Sequence, residues 1–173
     1  MPRLPLIAPG TQPHLAEQEA QIARARGRIS PLYQVLLNSP PIAHGWEQML
    51  SAVRNQSSLA PSVRELVILR VAVLNQAPYE FEAHVPHARQ AGVSDAAIAA
   101  IHNLALGDGE TFSAAERVAL ELTDAMTQTI EVPDALYEQV RAHFDSRAQL
   151  DLVATVAAYN MVSRLLVALR IGH

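Results

Sequence analysis

The stretch from Pro61 to Gln76, PSVRELVILRVAVLNQ, is a helix-length run that is apolar on nearly every face. A helix with one apolar stripe lies at a surface, whereas a helix apolar all round has to be enclosed by protein. This segment is therefore expected to be a central element with other helices packed about it. Ala60-Pro61-Ser62 supplies its start, since proline is tolerated at the first helical position. One carboxylate, Glu65, sits within the enclosed run. Burying it is costly unless a partner pairs with it or hydrogen-bonds it. The segment thus demands a polar group on a neighbouring element.

The rest of the chain reads as helices able to do the enclosing. His14 to Arg26 is rich in helix formers and ends at Gly27, a C-cap residue. Ser30-Pro31 opens a short helix through about Leu37, Asn38 to Pro41 is a break, and Ile42 to Arg54 carries Trp46, Met49, Leu50 and Val53 on one stripe. Pro78 begins a helix that stops at Gly92 and holds Pro86 inside, where a lost hydrogen bond predicts a kink. The three-residue break Gln76-Ala77-Pro78 forces this helix into an antiparallel hairpin with the central one. Ser94 caps DAAIAAIHNLAL, and Gly107 and Gly109 mark a loop. Ser113 with Glu116 forms a capping box for the helix running to Gln128, Pro133 opens another, and Ser146 leads into a final long helix ending at Gly172.

No run alternates apolar and polar residues, so no sheet is expected and the fold class is all-α, with about eight or nine helices. At 173 residues the chain suits one domain, or two small halves sharing a core. The division adopted is an extended, proline-rich arm over residues 1–13 and a single helical domain over 14–173. Residues 64–75 and 148–160 echo one another faintly when Asn75 is laid on Asn160.

Chemistry concentrates at Glu65, Tyr79, Glu80, His84 and His87. Glu80 and His84 are four apart and His84 and His87 three apart, which puts them on one helical face. A buried carboxylate facing an imidazole orients a general base and moves its pKa. The competing reading is that Glu65 ties two helices together while Glu80 and His87 form a solvated face. A metal site on Glu80, His84 and His87, with Glu65 as a fourth ligand, lacks the second motif that helical metal sites use, and Pro86 distorts the spacing. No metal and no cofactor are expected.

The stretch RELVILRVAVLNQAPYEFEAHVPHARQAGVSDAAI, residues 64–98, resembles the carboxymuconolactone decarboxylase family, which includes alkylhydroperoxidase D. The resemblance implies an alkylhydroperoxidase D-like helical bundle with its motif core at 59–105. Redox members of the family carry a Glu, a Cys-x-x-Cys pair and a His. The Glu matches Glu65 and the His matches His84, while the cysteine positions fall on Ala77 and Glu80, and Tyr79 lies between them. The chain has no cysteine, so thiol peroxidase chemistry is excluded and a peroxidase-like label would hold by family only. What survives resembles the decarboxylase branch, which looks like cofactor-free acid–base chemistry. On that reading His84 donates a proton, Glu65 holds its tautomer, Glu80 shares the site, and Tyr79 donates to a lactone oxygen. Arg70, or Arg64, pairs with a substrate carboxylate, and Trp46, Phe81, His87 and Asn160 line the substrate. The competing reading makes both Arg ordinary surface or helix-end partners, which suits Arg64 better, makes Trp46 and Phe81 plain core, and gives Asn160 only a helix–helix hydrogen bond.

Three functions stay open: a decarboxylase or isomerase of a small carboxylate or lactone, a non-catalytic small-molecule-binding member of the family, and a peroxidase-like protein that borrows a thiol from elsewhere. The net charge of −4 argues against a nucleic-acid partner. Leu150 to Ile171 is long enough to span a bilayer, yet Asp151, Asn160, Ser163, Arg164 and Arg170 lie within it. It is read as a buried helix, with no membrane partner, in a cytoplasmic protein. An apolar share of 50% against 17% charged, the arm and the resemblance together imply a homo-oligomer, a trimer or a hexamer.

Overall fold

Proline starts four of the helices: α2 (Pro31–Leu36), α3 (Pro40–Asn55), α4 (Pro61–Leu74) and α5 (Pro78–Gln90). Its missing N–H is one that a first helical turn leaves unbonded anyway, and its fixed φ suits the turn. The computed structural model describes residues 1–103 and 111–172. Among them are also α1 (Ala16–Arg26), α6 (Asp95–Ala100), α7 (Ala114–Asp124), α8 (Asp134–His143) and α9 (Ser146–Leu169), and no strand. The end of the helix expected after Ser94, and the Gly107–Gly109 loop, lie outside the described residues.

Contacts gather the chain into two units, residues 1–56 with 166–173, and residues 57–165. In the first, α1 and α2 pack on α3 around Leu15, Ile22, Val35, Leu36, Ala43 and Leu50. The arm is tied down by its backbone. Arg3 N–H donates to the Leu169 carbonyl at 2.9 Å, Ile7 N–H to Gln34, and Gly10 N–H to the Glu19 carboxylate. Arg3 also donates a side-chain nitrogen to the Ala168 carbonyl, so a cation sits at the C-terminal end of α9, where the helix dipole favours it. Helix α3 begins at Pro40 rather than at Ile42, because both Pro40 and Pro41 fit a first turn. Ser30 precedes α2 without a side-chain capping bond.

In the second unit α4 packs against α5 and α7. Leu66 and Leu69 of α4 meet Ala88, Val93, Ala97, Ile98, Ile101, Phe112 and Leu120 in one apolar cluster. From Val63 to Ala72 only Arg64 escapes full burial, which is the enclosure that its all-round apolarity required. Helix α5 runs through Pro86, and the carbonyl that loses its partner there belongs to Glu82 on the exposed side. The capping box at Ser113 and Glu116 is present, and Ser94 accepts from Ala97 N–H. Helix α7 ends sooner than its sequence pattern suggests, because Ala125–Thr129 widen into a π turn. Ser146–Leu169 is long and apolar enough to cross a membrane by length and composition, and half of its most apolar 18-residue stretch is buried inside the structure.

The joints around α5 share one device. Gln76, φ 53°, ends α4 with Ala77 N–H bonded to the Ala72 carbonyl. Gly92, φ 87°, ends α5 with its N–H on Arg89 and Val93 N–H on Ala88. Both are Schellman closures with a left-handed residue after the cap. A Cβ on Gly92 would meet no atom within 4 Å, so only backbone strain opposes it. Gly92→Ala should therefore cost about 1–2 kcal/mol of stability. The check is a urea unfolding curve whose midpoint falls while its slope stays constant.

Candidate active site

The α4–α5 hairpin brings Glu65, ten residues before the turn, against His84, which follows it. Glu65 Oε2 lies 2.7 Å from His84 Nδ1, and both side chains are buried. One helical turn before His84, the buried Glu80 places Oε1 3.3 Å from Nε2. A third group comes from α9: the Tyr159 hydroxyl is 3.4 Å from the same Nε2, and its ring meets the imidazole edge-on at 90°. Arg64 Nε stands 3.4 Å from the second oxygen of Glu65. The structure thus brings together Glu65, Glu80, His84 and Tyr159, with Arg64 beside them, as the candidate site.

Burial alone would lower the His84 pKa, since it penalises the cation. The hydrogen bonds to Glu65 and Glu80, together with their charges, outweigh that penalty and hold the imidazole above its usual range. Glu65 fixes the ring's orientation and the proton on Nδ1, leaving Nε2 as the nitrogen that exchanges a proton. Such an arrangement can store, deliver and recover one proton at a dry position.

Other residues singled out from sequence are occupied elsewhere. Arg70 forms a bidentate pair with Asp124, both contacts at 2.6 Å, and donates to the Ile101 carbonyl at 2.9 Å. Its fork is filled by the protein's own carboxylate, and the guanidinium near the His84 cluster is that of Arg64. Asn160 accepts from Asn75 at 2.9 Å and donates to Thr127 on the π turn and to the Val156 carbonyl, so it fastens α9 to its neighbours. The two asparagines of the sequence echo are thereby bonded to each other. Phe81 is half-buried against the His102 ring, and His87 is exposed with its ring centroid 5.5 Å from that of His84. Tyr79 is half-buried on the first turn of α5, and Trp46 is buried on α3 in the first unit. Among the described residues no group of three His, Asp or Glu side chains could hold a metal.

Sequence reasoning missed Tyr159 and Asp124. Tyr159 is the one aromatic residue in the run LVATVAAYNMVSRLL, next to the echoed Asn160, and a hydroxyl on an enclosed helix needs a partner. A polar network in the first unit was missed as well. Arg26, Tyr33 and Ser51 all donate to the buried Glu47. Burial would raise the Glu47 pKa, but these three bonds hold it below the usual carboxylate range, and burial pushes the Tyr33 phenol up. Beside this network a polar depression of about 400 Å³ is bordered by Gln21, Arg24, His44, Glu47, Gln48 and Ser51.

Residues 40–125 match the sequence profile of the carboxymuconolactone decarboxylase family. The chain is 33% identical over 116 residues to the uncharacterized protein YdfG of Bacillus subtilis, spanning 66% of this chain and 78% of that protein. Among solved structures it superposes on an alkylhydroperoxidase AhpD core protein from Ralstonia eutropha with a TM-score of 0.82 at 17% identity, covering 98% of this chain and 90% of the other. It also superposes on the debrominase Bmp8 in complex with 2,3,4-tribromopyrrole, with a TM-score of 0.79 at 13% identity, covering 99% and 92%. At these identities the two structures establish the alkylhydroperoxidase D-like helical fold.

The raised His84 pKa has a consequence for stability. The folded state binds the proton more tightly than the unfolded chain, whose His titrates near about 6.5. The pair's contribution is therefore complete below that pH and is lost as pH rises through the folded pKa. Urea midpoints should fall across that alkaline window in the wild type, and the slope against pH should flatten in His84→Asn. Equal slopes in the two proteins would show that His84 is not the linked group.

Proposed function

The chain belongs to the carboxymuconolactone decarboxylase family, and from its site we propose that it is a cofactor-free acid–base enzyme, a decarboxylase or isomerase of a small carboxylate or lactone. The observation that carries this reading is the 2.7 Å contact between Glu65 and His84 with the opposite ring nitrogen facing Glu80 and Tyr159. Loss of CO2 from a β,γ-unsaturated lactone acid breaks the bond to the carboxyl carbon and leaves its electron pair in an extended enolate. Protonation of carbon then completes the reaction, and solvent replaces the proton. Imidazolium His84 supplies that proton, directly or through Glu80. Glu65 stabilises the cation beforehand and holds its tautomer. On this reading Arg64, which also contacts Glu65, meets the substrate carboxylate, since the Arg70 fork is filled.

The absence of cysteine separates this site from a thiol peroxidase on the same fold. Glu80 stands where the resemblance places the second cysteine, so a carboxyl group replaces a thiol at that position. One observation favours a second reading, a non-catalytic small-molecule-binding member of the family. His84 is 4% exposed, Glu80 6% and Tyr159 1%, which is the burial of a packed core.

The protein is further proposed to work as a homo-oligomer, a trimer or hexamer, because Leu150, Met161 and Val167 leave apolar surface open along α9. Light scattering should give a mass above that of the 18.8 kDa chain, and a concentration-independent monomer would contradict it.

CO2 release from a panel of unsaturated lactone acids separates the two functional readings. Glu65→Gln should lower turnover by about a hundredfold or more. His84→Ala should abolish it while the helical circular dichroism persists. If no lactone acid turns over while small carboxylates still bind, the second reading holds; CO2 release that neither variant alters would remove Glu65 and His84 from the chemistry. No hydroperoxide should be reduced with a dithiol donor.

A further inference from the structure

His84 Nε2 has two buried neighbours of opposite hydrogen-bonding character. Nδ1 faces a carboxylate and so carries a proton in either charge state of the ring. A neutral ring then presents a bare lone pair at Nε2, which needs a donor. The cation presents an N–H there, which needs an acceptor. Tyr159 Oη, at 3.4 Å, is the donor, and Glu80 Oε1, at 3.3 Å, is the acceptor. Both distances exceed the usual hydrogen-bond length of about 2.9 Å by similar amounts, so neither contact is a fully closed bond and Nε2 can favour either neighbour.

We propose that Tyr159 and Glu80 are alternative seats for His84 Nε2, Tyr159 holding the neutral imidazole and Glu80 the imidazolium, and that Tyr159 is a positioning residue that sets the pH at which the site exchanges its proton. This rests on the acid–base reading for its use in turnover, but not for its physical content. Among the described residues, the titratable and charged groups with contacts to the ring or to its partners include Glu65 and Arg64 from α4, Glu80 and His87 from α5, and Tyr159 from α9. Glu65 acts on Nδ1 in both states, and His87 lies with its ring beside that of His84. Of these groups Tyr159 is the one placed to donate a hydrogen bond to the bare Nε2 of the uncharged ring. Its burial keeps water from taking its place.

The two seats predict shifts of opposite sign. Tyr159→Phe keeps the ring and its edge-on packing but removes the donor, so the neutral imidazole loses its bond and the His84 pKa should rise by about one pH unit. Glu80→Gln removes the charge that stabilises the cation, so the pKa should fall by at least as much. A merely space-filling Tyr159 predicts no change, or a fall toward the ordinary value as water enters. The measurement is a titration of the His84 ring nitrogens by nitrogen-15 NMR in the full-length protein and both variants. Replacing all four tyrosines by 3-fluorotyrosine tests the same point without deleting a hydroxyl. The more acidic phenol is a stronger donor, so the His84 pKa should drop. A rise in Tyr159→Phe with a drop in the fluorinated protein supports the proposal. An unchanged or lowered pKa in Tyr159→Phe, or an unchanged one on fluorination, overturns it. Opposite shifts without turnover would remove the acid–base function and leave the two seats standing. Turnover without the shifts would remove the seats alone.

Discussion

A carboxylate enclosed in a central helix has to be answered by a neighbour, and the answer given to Glu65 organises the second unit. His84 meets it at 2.7 Å from the adjacent helix. That contact requires α5 to fold straight back on α4, which the left-handed Gln76 and the proline at the start of α5 make possible within a few residues. It also requires α5 to stop in register, which the Gly92 closure provides while burying Val93 with Ala88 in the core. Removing one member of such a pair leaves the other buried with its charge or polar group less well compensated, which costs more than the pair itself contributes. The same physical demand that holds the hairpin together therefore also charges and orients an imidazole.

Much of this was legible in the sequence because the signals are local. The burial of α4 follows from its lack of a polar face, and the need for a partner to Glu65 follows from that burial. Glu80 joins His84 through a spacing of four residues, and the caps at Ser94, Ser113 and Gly92 need only their neighbours along the chain. What escaped depends on distant segments. Asp124 finds Arg70 across 54 positions, and Tyr159 finds His84 across 75. No periodicity encodes such meetings. Arg70 read as a free guanidinium because the carboxylate that fills its fork sits at the end of α7, next to a π turn that the helical pattern did not reveal. The start of α3 was read late because Pro40-Pro41 looks like a break, although both prolines fit a first turn.

The chain has the family's helical scaffold and buries a Glu65–His84 pair of its own while lacking any thiol. In the proposed chemistry the pair's task is to hold a proton where water is scarce, and the Glu80 carboxylate faces the ring nitrogen that exchanges it. Arg70 and Asp124, which fasten α4 to α7, and Asn75 and Asn160, which fasten α9, would then serve the site by fixing the helices that carry it. Polar groups spent on these ties are unavailable to a substrate.

The central claim is that His84 carries a proton on Nδ1 that is hydrogen-bonded to the buried Glu65 carboxylate. A proton NMR spectrum of the protein, selectively labelled with nitrogen-15 in the histidine rings, tests it directly. The account predicts a far-downfield ring proton, correlated with His84 Nδ1 and slow to exchange with water, that disappears or moves strongly upfield in Glu65→Gln. A spectrum in which His84 Nδ1 bears no such protected proton, or bears one that Glu65→Gln leaves in place, would contradict it.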